Sequence, residues 1–242
     1  MNEDSPRPRI TINCAISADG KLAPDNRQFT PFTSTYDHHL LFQLRAQADA
    51  VMAGARTAES SNVTMGIGGK KYAALRKKNK LRPEHLRILV SGSGSLNSRA
   101  DIFKDRSLPI LLLTTAKAPA IRLKALKSVV DEIAVFGEKT VDWLKALDWL
   151  YRKHQVKHLL CEGGGGLNAE LFRHGLVNEL YLTIAPVLIG GRKAPTLADG
   201  TGIHSLEKAI PLLPLKWQIR KGELFARFQV NSGNSVPATR SR

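Results

Sequence analysis

The chain has 242 residues, 43% hydrophobic and 6% aromatic, with 36 Lys and Arg against 21 Asp and Glu for a formal charge of +15. This composition suits an ordinary soluble core, and no apolar run approaches the ~18 residues that a membrane-crossing helix requires. Cys14 and Cys161 lie in apolar, strand-like runs and offer neither a disulfide framework nor enough ligands for a zinc cluster. The opening "MNEDSPRPR" has no apolar stretch and does not read as a secretory signal, so the cytoplasm is the expected location. The basic surplus would attract nucleic acid, and "KKYAALRKKNKLRPEHLR" (70–87) carries much of it. No helix-turn-helix, zinc finger, basic zipper or aromatic RNA-binding strand accompanies it, which argues against nucleic acid as the main partner.

The first eight residues and residues 231–242 are polar and rich in Ser, Pro and Asn, and are expected to fray, leaving 9–230 as one domain. "RITINCAIS" (9–17) alternates apolar and polar residues as a strand does, and Asp19-Gly20 stops it. Residues 34–49 place Leu40, Leu41, Leu44 and Ala48 on one helical face with Ser34 as N-cap, and "AVMAG" (50–54) is a short buried strand. Strands follow at 86–92 and 109–115, a helix at 117–128 and a strand at 132–137. Residues 140–154 form the clearest helix, capped by Thr140. A strand over 156–165 then runs into glycines, a helix over 167–175 comes next, and 178–191 is a long strand. Residues 215–230 form a hairpin turning at Lys221-Gly222. This rhythm predicts a single-domain, three-layer αβα sandwich with a mixed, mostly parallel central sheet and a C-terminal antiparallel hairpin.

The stretch "LLCEGGGGLNAELF" (159–172) is the strongest local signal. Glycine inside an element costs up to about 1 kcal/mol relative to alanine, so four together need a cause. Strand, glycines and helix in that order place unpaired N–H groups and the positive end of a helix dipole against an anion. The dinucleotide pattern G-x-G-x-x-G fails, because its third glycine would fall on Asn168, and no Gly-Lys-Ser/Thr of a P-loop comes after it. An anion or nucleotide phosphate at a helix N-terminus is the reading, with tight helix–strand packing as its alternative.

The run from Leu159 to Thr196 resembles the C-terminal signature of riboflavin-biosynthesis pyrimidine reductases of the RibD C-terminal-domain type, which have a dihydrofolate-reductase-like fold. The pattern appears as Glu162, Gly163, Gly164, Leu167, Asn168, then Ala185, Pro186, Gly190, Gly191, Ala194, Pro195 and Thr196. "NCAISADGK" and "LRAQADAVMAGART" resemble the family's opening strand and its R-A-x-x-D segment, so the likeness runs from about Arg9 to about Val230.

The resemblance implies NADPH-dependent reduction of 2,5-diamino-6-ribosylamino-4(3H)-pyrimidinone 5′-phosphate, or its deaminated form, to the ribitylamino compound. It also implies a homodimer. Hydride transfer of this kind asks the protein for positioning and electrostatics, with no metal and no nucleophile. By resemblance, Ala15, Thr57, Ser61, Gly164, Gly165, Gly166, Leu167 and Asn168 would bind the cofactor, and Arg45, Glu162 and Thr64 the substrate. No residue is assigned a catalytic role beyond positioning by Glu162 and Asp19, and the Asp19-Gly20 turn would explain Asp19 by itself. The family continues T-x-x-x-D-D-P-x-L-T where this chain has "TAESSNVTM", so Ser61 stands in the place of an aspartate and substrate choice could shift there. The deaminase motifs H-x-E and P-C-x-x-C of bifunctional relatives do not occur, so at most the reductase half is expected. Two alternatives remain open: a reductase of another pterin-like or pyrimidine substrate, and a non-catalytic nucleotide or nucleic-acid binder on the same fold.

Overall fold

The computed structural model describes residues 6–27, 31–60 and 62–231. The expected frayed ends therefore fall largely outside the described residues, and so does Ser61. In chain order the elements are β1 (Arg9–Ser17), α1 (Thr35–Arg45), β2 (Ala50–Gly54), α2 (Ala55–Ala58), α3 (Lys70–Lys78), β3 (Leu86–Val90), β4 (Ile110–Thr114), α4 (Ala120–Leu126) and β5 (Glu132–Val135). They continue with α5 (Trp143–His154), β6 (His158–Cys161), α6 (Gly165–Arg173), β7 (Val177–Ala185), β8 (Leu212–Arg220) and β9 (Glu223–Val230).

The chain forms two compact units, each assembled from two stretches: Met1–Arg9 with His38–Gly163, and Ile10–Asp37 with Gly164–Arg242. In the first, five strands run in the order β5-β4-β3-β2-β6, all parallel. Ala50, Val51, Met52 and Ala53 of β2 are all fully buried, as expected of a strand covered on both faces. Helix α5 closes this unit with Ala146, Leu147 and Leu150 fully buried, three apolar residues at the spacing that one helical stripe allows. In the second unit, β1 pairs in parallel with β7, while β7–β9 and β9–β8 are antiparallel. Cys14 is buried in β1 of this unit and Cys161 in β6 of the other. The α/β class, the mixed and mostly parallel strand pairing and the C-terminal hairpin are as the sequence predicts.

The differences have local causes. Helix α1 stops at Arg45 rather than running to residue 49, and β7 stops at Ala185, where Pro186 has no N–H for a ladder. The glycine run is partly helical, because α6 opens at Gly165 and not at Leu167. Helix α5 is capped by Asp142, whose side chain accepts from Lys145 N at 3.2 Å, not by Thr140. Part of the basic stretch is helix α3, which turns Tyr72 and Arg76 inward and leaves its lysines exposed. The hairpin turns where expected, with Lys221 and Gly222 both at positive φ, as a two-residue turn of this hand requires.

Asp142→Ala is expected to lower stability by about 1 kcal/mol, whereas Thr140→Ala should leave it within about 0.5 kcal/mol; chemical denaturation of the two variants measures this.

Candidate functional site

Three of the four glycines are required by the fold, and the fourth is not. Gly163 and Gly164 have φ of +85° and +83°, a region that side-chain-bearing residues avoid. A Cβ on Gly165 would lie 2.6 Å from Asp199 Oδ2 and closer still to the Thr196 carbonyl. Gly166 has no such reason: its φ is ordinary, it is exposed, and a Cβ there would meet nothing within 4 Å. Around it, the backbone N–H groups of Gly165, Gly166 and Leu167 meet no acceptor among the described residues, the condition of an uncapped first helical turn.

The loop that covers this turn is fixed by Asn168 and Asp199. Asn168 is fully buried and donates through Nδ2 to Leu197 O at 2.9 Å and to Cys14 Sγ at 3.2 Å. Asp199 accepts from Thr196 N and Thr196 Oγ1, while its own N–H donates to Gly165 O at 2.9 Å. Leu167 is buried in the core. The buried side chains of Leu167 and Asn168 thus anchor the turn, and Gly166 is its exposed residue.

Ala15 is half-buried on β1, opposite Thr183 of β7. Two residues before it, Asn13 carries a buried Oδ1 with no hydrogen-bond partner, a polar orphan that the sequence did not single out. The Asp19 carboxylate accepts from Ser17 Oγ at 2.6 Å, Ile189 N at 3.0 Å and Gly190 N at 2.7 Å. These bonds, the Ser17 hydroxyl first, pull its pKa down to about 2. Asp19 therefore acts in this structure as a bracket for the segment after β7.

In the other unit, Arg45 and Glu162 form a bidentate pair. Arg45 Nε and Nη2 donate to the two Glu162 oxygens, each at 2.6 Å, and both side chains are almost entirely buried. The guanidinium stacks 5.3 Å from the Phe42 ring centroid, and its Nη1 donates to Gly66 O at 2.7 Å. The fork expected for the substrate is thus engaged by Glu162, a geometry that fixes the carboxylate in one orientation. Thr57 is half-buried in α2 and Thr64 is exposed, its Oγ1 3.3 Å from Gly66 N.

Two buried side chains beside this pair were not legible in the sequence. His85 Nε2 lies 2.8 Å from Met65 O, and Arg87 donates to the carbonyls of Thr64, Ile102, Asp105 and Leu108. "LRILV" reads as an apolar strand with one charge, and nothing in it announces an arginine that bonds only backbone. Burial first, and then the guanidiniums of Arg76, Arg45 and Arg87, push the His85 pKa down to about 3.

A strand, a glycine turn and an uncapped helix start in an α/β chain form an arrangement that suits an anion. Residues 8–226 match the RibD C-terminal domain, and the chain belongs to that family. It is 32% identical to the 2,5-diamino-6-ribosylamino-4(3H)-pyrimidinone 5′-phosphate reductase of Archaeoglobus fulgidus over 80% of this chain and 87% of the relative. With the Aquifex aeolicus protein of the same name the identity is 29%, over 93% of this chain and 97% of the relative. Among solved structures, a pyrimidine reductase-like protein from Corynebacterium diphtheriae superposes with a TM-score of 0.76 at 24% identity, covering 93% of this chain and 92% of that one. Acinetobacter baumannii RibD gives 0.73 at 17% identity, with 94% of this chain and 59% of that one covered. At these identities the two structures speak to the fold.

Two stability measurements test this geometry. Gly165→Ala should cost about 2 kcal/mol or more, because its Cβ meets backbone, while Gly166→Ala should be neutral or slightly stabilising; thermal melts separate them. His85, neutral in the fold, has a folded pKa below the ordinary 6.5. The unfolded chain therefore gains a proton between pH 6.5 and about 3 that the folded chain refuses, so stability must fall as pH drops through that window. Denaturation at stepped pH should show His85→Gln losing less stability than wild type on acidification, by roughly 1 kcal/mol per pH unit.

Proposed function

We propose that this chain is the pyrimidine reductase of riboflavin biosynthesis that its relatives are named for. It reduces the ribosyl group of 2,5-diamino-6-ribosylamino-4(3H)-pyrimidinone 5′-phosphate, or its deaminated form, at the expense of NADPH. The observation that carries the reading is Gly166. An exposed glycine with no internal need for its missing side chain, beside three N–H groups without acceptors, fits close approach by a phosphate. Gly164, Gly165 and Gly166 would hold the cofactor pyrophosphate by backbone, with Leu167 and Asn168 supporting them from the core. Ala15 and Thr57 remain candidate cofactor contacts, as does Ser61. NADPH bound there would supply the hydride for C1′ of the opened ribose.

The protein's own contribution is positioning. Glu162, fixed in one rotamer by Arg45, offers a carboxylate that accepts hydrogen bonds from the amino and hydroxyl groups such a substrate carries. Arg45 acts through Glu162, and the exposed Thr64 hydroxyl is a further candidate substrate contact. A fixed carboxylate near neutral pH needs no reorganisation as the reaction proceeds, which is how positioning lowers a barrier without proton chemistry of its own.

The enzyme works as a cytoplasmic homodimer in this reading, with the face of β8 covered by the second copy. No helix among the described residues is long and apolar enough to cross a membrane. β8 is the last strand of its unit, and Trp217 and Ile219 are 70% and 69% exposed on the face that the register gives them with Leu212 and Leu224. An apolar edge of this kind is an aggregation hazard unless covered.

Purified protein should oxidise NADPH only when the ribosylaminopyrimidine phosphate is present, and NADPH should outcompete NADH. Gly166→Asp should weaken NADPH binding by more than about tenfold in a calorimetric titration while leaving the melting temperature unchanged, since an acid in the first helical turn suits the helix. Equal NADPH affinity in wild type and variant would remove the glycine run from cofactor binding. Trp217→Arg should shift the particle mass measured by light scattering from dimer to monomer; an unchanged mass would clear β8 of that role.

A further inference from the structure

The backbone of residues 64–66 is held from inside by three side chains, one carbonyl each. Arg87 Nη1 donates to Thr64 O at 3.1 Å, His85 Nε2 to Met65 O at 2.8 Å and Arg45 Nη1 to Gly66 O at 2.7 Å. The three donors come from three places, the end of α1, the approach to β3 and β3 itself, and all are buried. Because a carbonyl only accepts, His85 must carry its proton on Nε2, and its buried Nδ1 has no partner.

This arrangement does not arise from regular structure. In an extended segment successive carbonyls alternate sides, so three in a row that each meet a buried donor require a distorted backbone. Met65 supplies the distortion with φ +53°, uncommon for a residue with a side chain, and its own side chain is buried beneath the loop. Each peptide unit is planar and trans, so a carbonyl turned toward the clamp turns the next residue's N–H away from it. The N–H groups so directed belong to Met65, Gly66 and Ile67. Those of Met65 and Ile67 meet no acceptor among the described residues, and that of Gly66 has only the long contact to Thr64 Oγ1. Consecutive N–H groups aimed one way form a concavity suited to an anion.

We infer that His85 and Arg87 are positioning residues, which with Arg45 form a carbonyl clamp that aims the N–H groups of residues 65–67 at an anionic group of the substrate. The inference rests on the reductase reading for the identity of the substrate. Its physical link to the rest of the site is Arg45, which holds Gly66 O and Glu162 with one guanidinium. Loosening the loop therefore also loosens the carboxylate.

His85 gives the cleaner test, because Arg87 additionally anchors Ile102, Asp105 and Leu108. His85→Leu removes the donor, and His85→Gln restores an N–H near the position of Nε2. With the ribosylaminopyrimidine phosphate and NADPH, His85→Leu should raise the substrate KM about tenfold or more with NADPH affinity within twofold of wild type, and His85→Gln should recover most of the loss. The backbone order parameters of residues 65–67, from amide nitrogen relaxation, should fall in His85→Leu and return in His85→Gln. An unchanged KM and unchanged order parameters in His85→Leu would overturn the clamp, as would a loss that His85→Gln fails to rescue. If wild type itself ignores this substrate, the reductase reading falls, and the order parameters alone then decide for or against the clamp.

Discussion

One guanidinium organises the larger unit. Arg45 ends α1, grips both oxygens of Glu162 at the end of β6, reaches Gly66 O with its remaining arm and lies over the Phe42 ring. A buried ion pair is no assured source of stability, since desolvating both charges offsets most of the attraction. Removing one partner, however, leaves a bare charge indoors at a cost of several kcal/mol. The pair therefore acts as a constraint: a shift between α1, the end of β6 and the loop after α2 would leave buried donors or acceptors unpaired. What the fold obtains in return is a carboxylate with one available orientation.

The same logic extends to the charge of the chain. A formal +15 suggests a surface built to attract phosphates, yet three of the arginines behind it are interior. Arg76 donates to the carbonyls of Arg45, Ala48, Arg82 and Pro83, and Arg87 to four others, so these guanidiniums serve as stitches across irregular backbone. Five N–H donors in a plane suit that work, and the three tetrahedral donors of a lysine do not. Counting basic residues thus overstates the charge offered to solvent, and the exposed lysines of α3 hold a larger share of it than the raw sum implies.

Much of the architecture was legible because local signals agreed with one another. The short apolar run "AVMAG" ending on glycine read as a buried strand, Lys221-Gly222 read as a hairpin turn, and both are so in the structure. The misreadings have one origin, in that a residue's partner lay far away or in backbone. Thr140 and Asp142 are both plausible caps, and only the path of the chain into α5 chooses between them. The glycine run was visible as a signal, but the division of labour within it was not. Gly165 is glycine because of Asp199 and Thr196, more than thirty residues downstream, and no spacing rule could have separated it from Gly166. Likewise Arg45 and Glu162 were each picked out, while their pairing across 117 residues required the parallel strands that bring them together.

The placement of the two cysteines has a use of its own. Cys14 is buried in β1 of one unit and Cys161 in β6 of the other, so each unit encloses one thiol out of reach of a water-soluble reagent. Alkylation can proceed only through openings that expose the sulfur, at a rate set by how often that unit opens. The molecule thus carries a matched pair of internal clocks, one to each half. Labelling kinetics resolved by peptide would give separate opening free energies for the two units without introducing a single foreign probe.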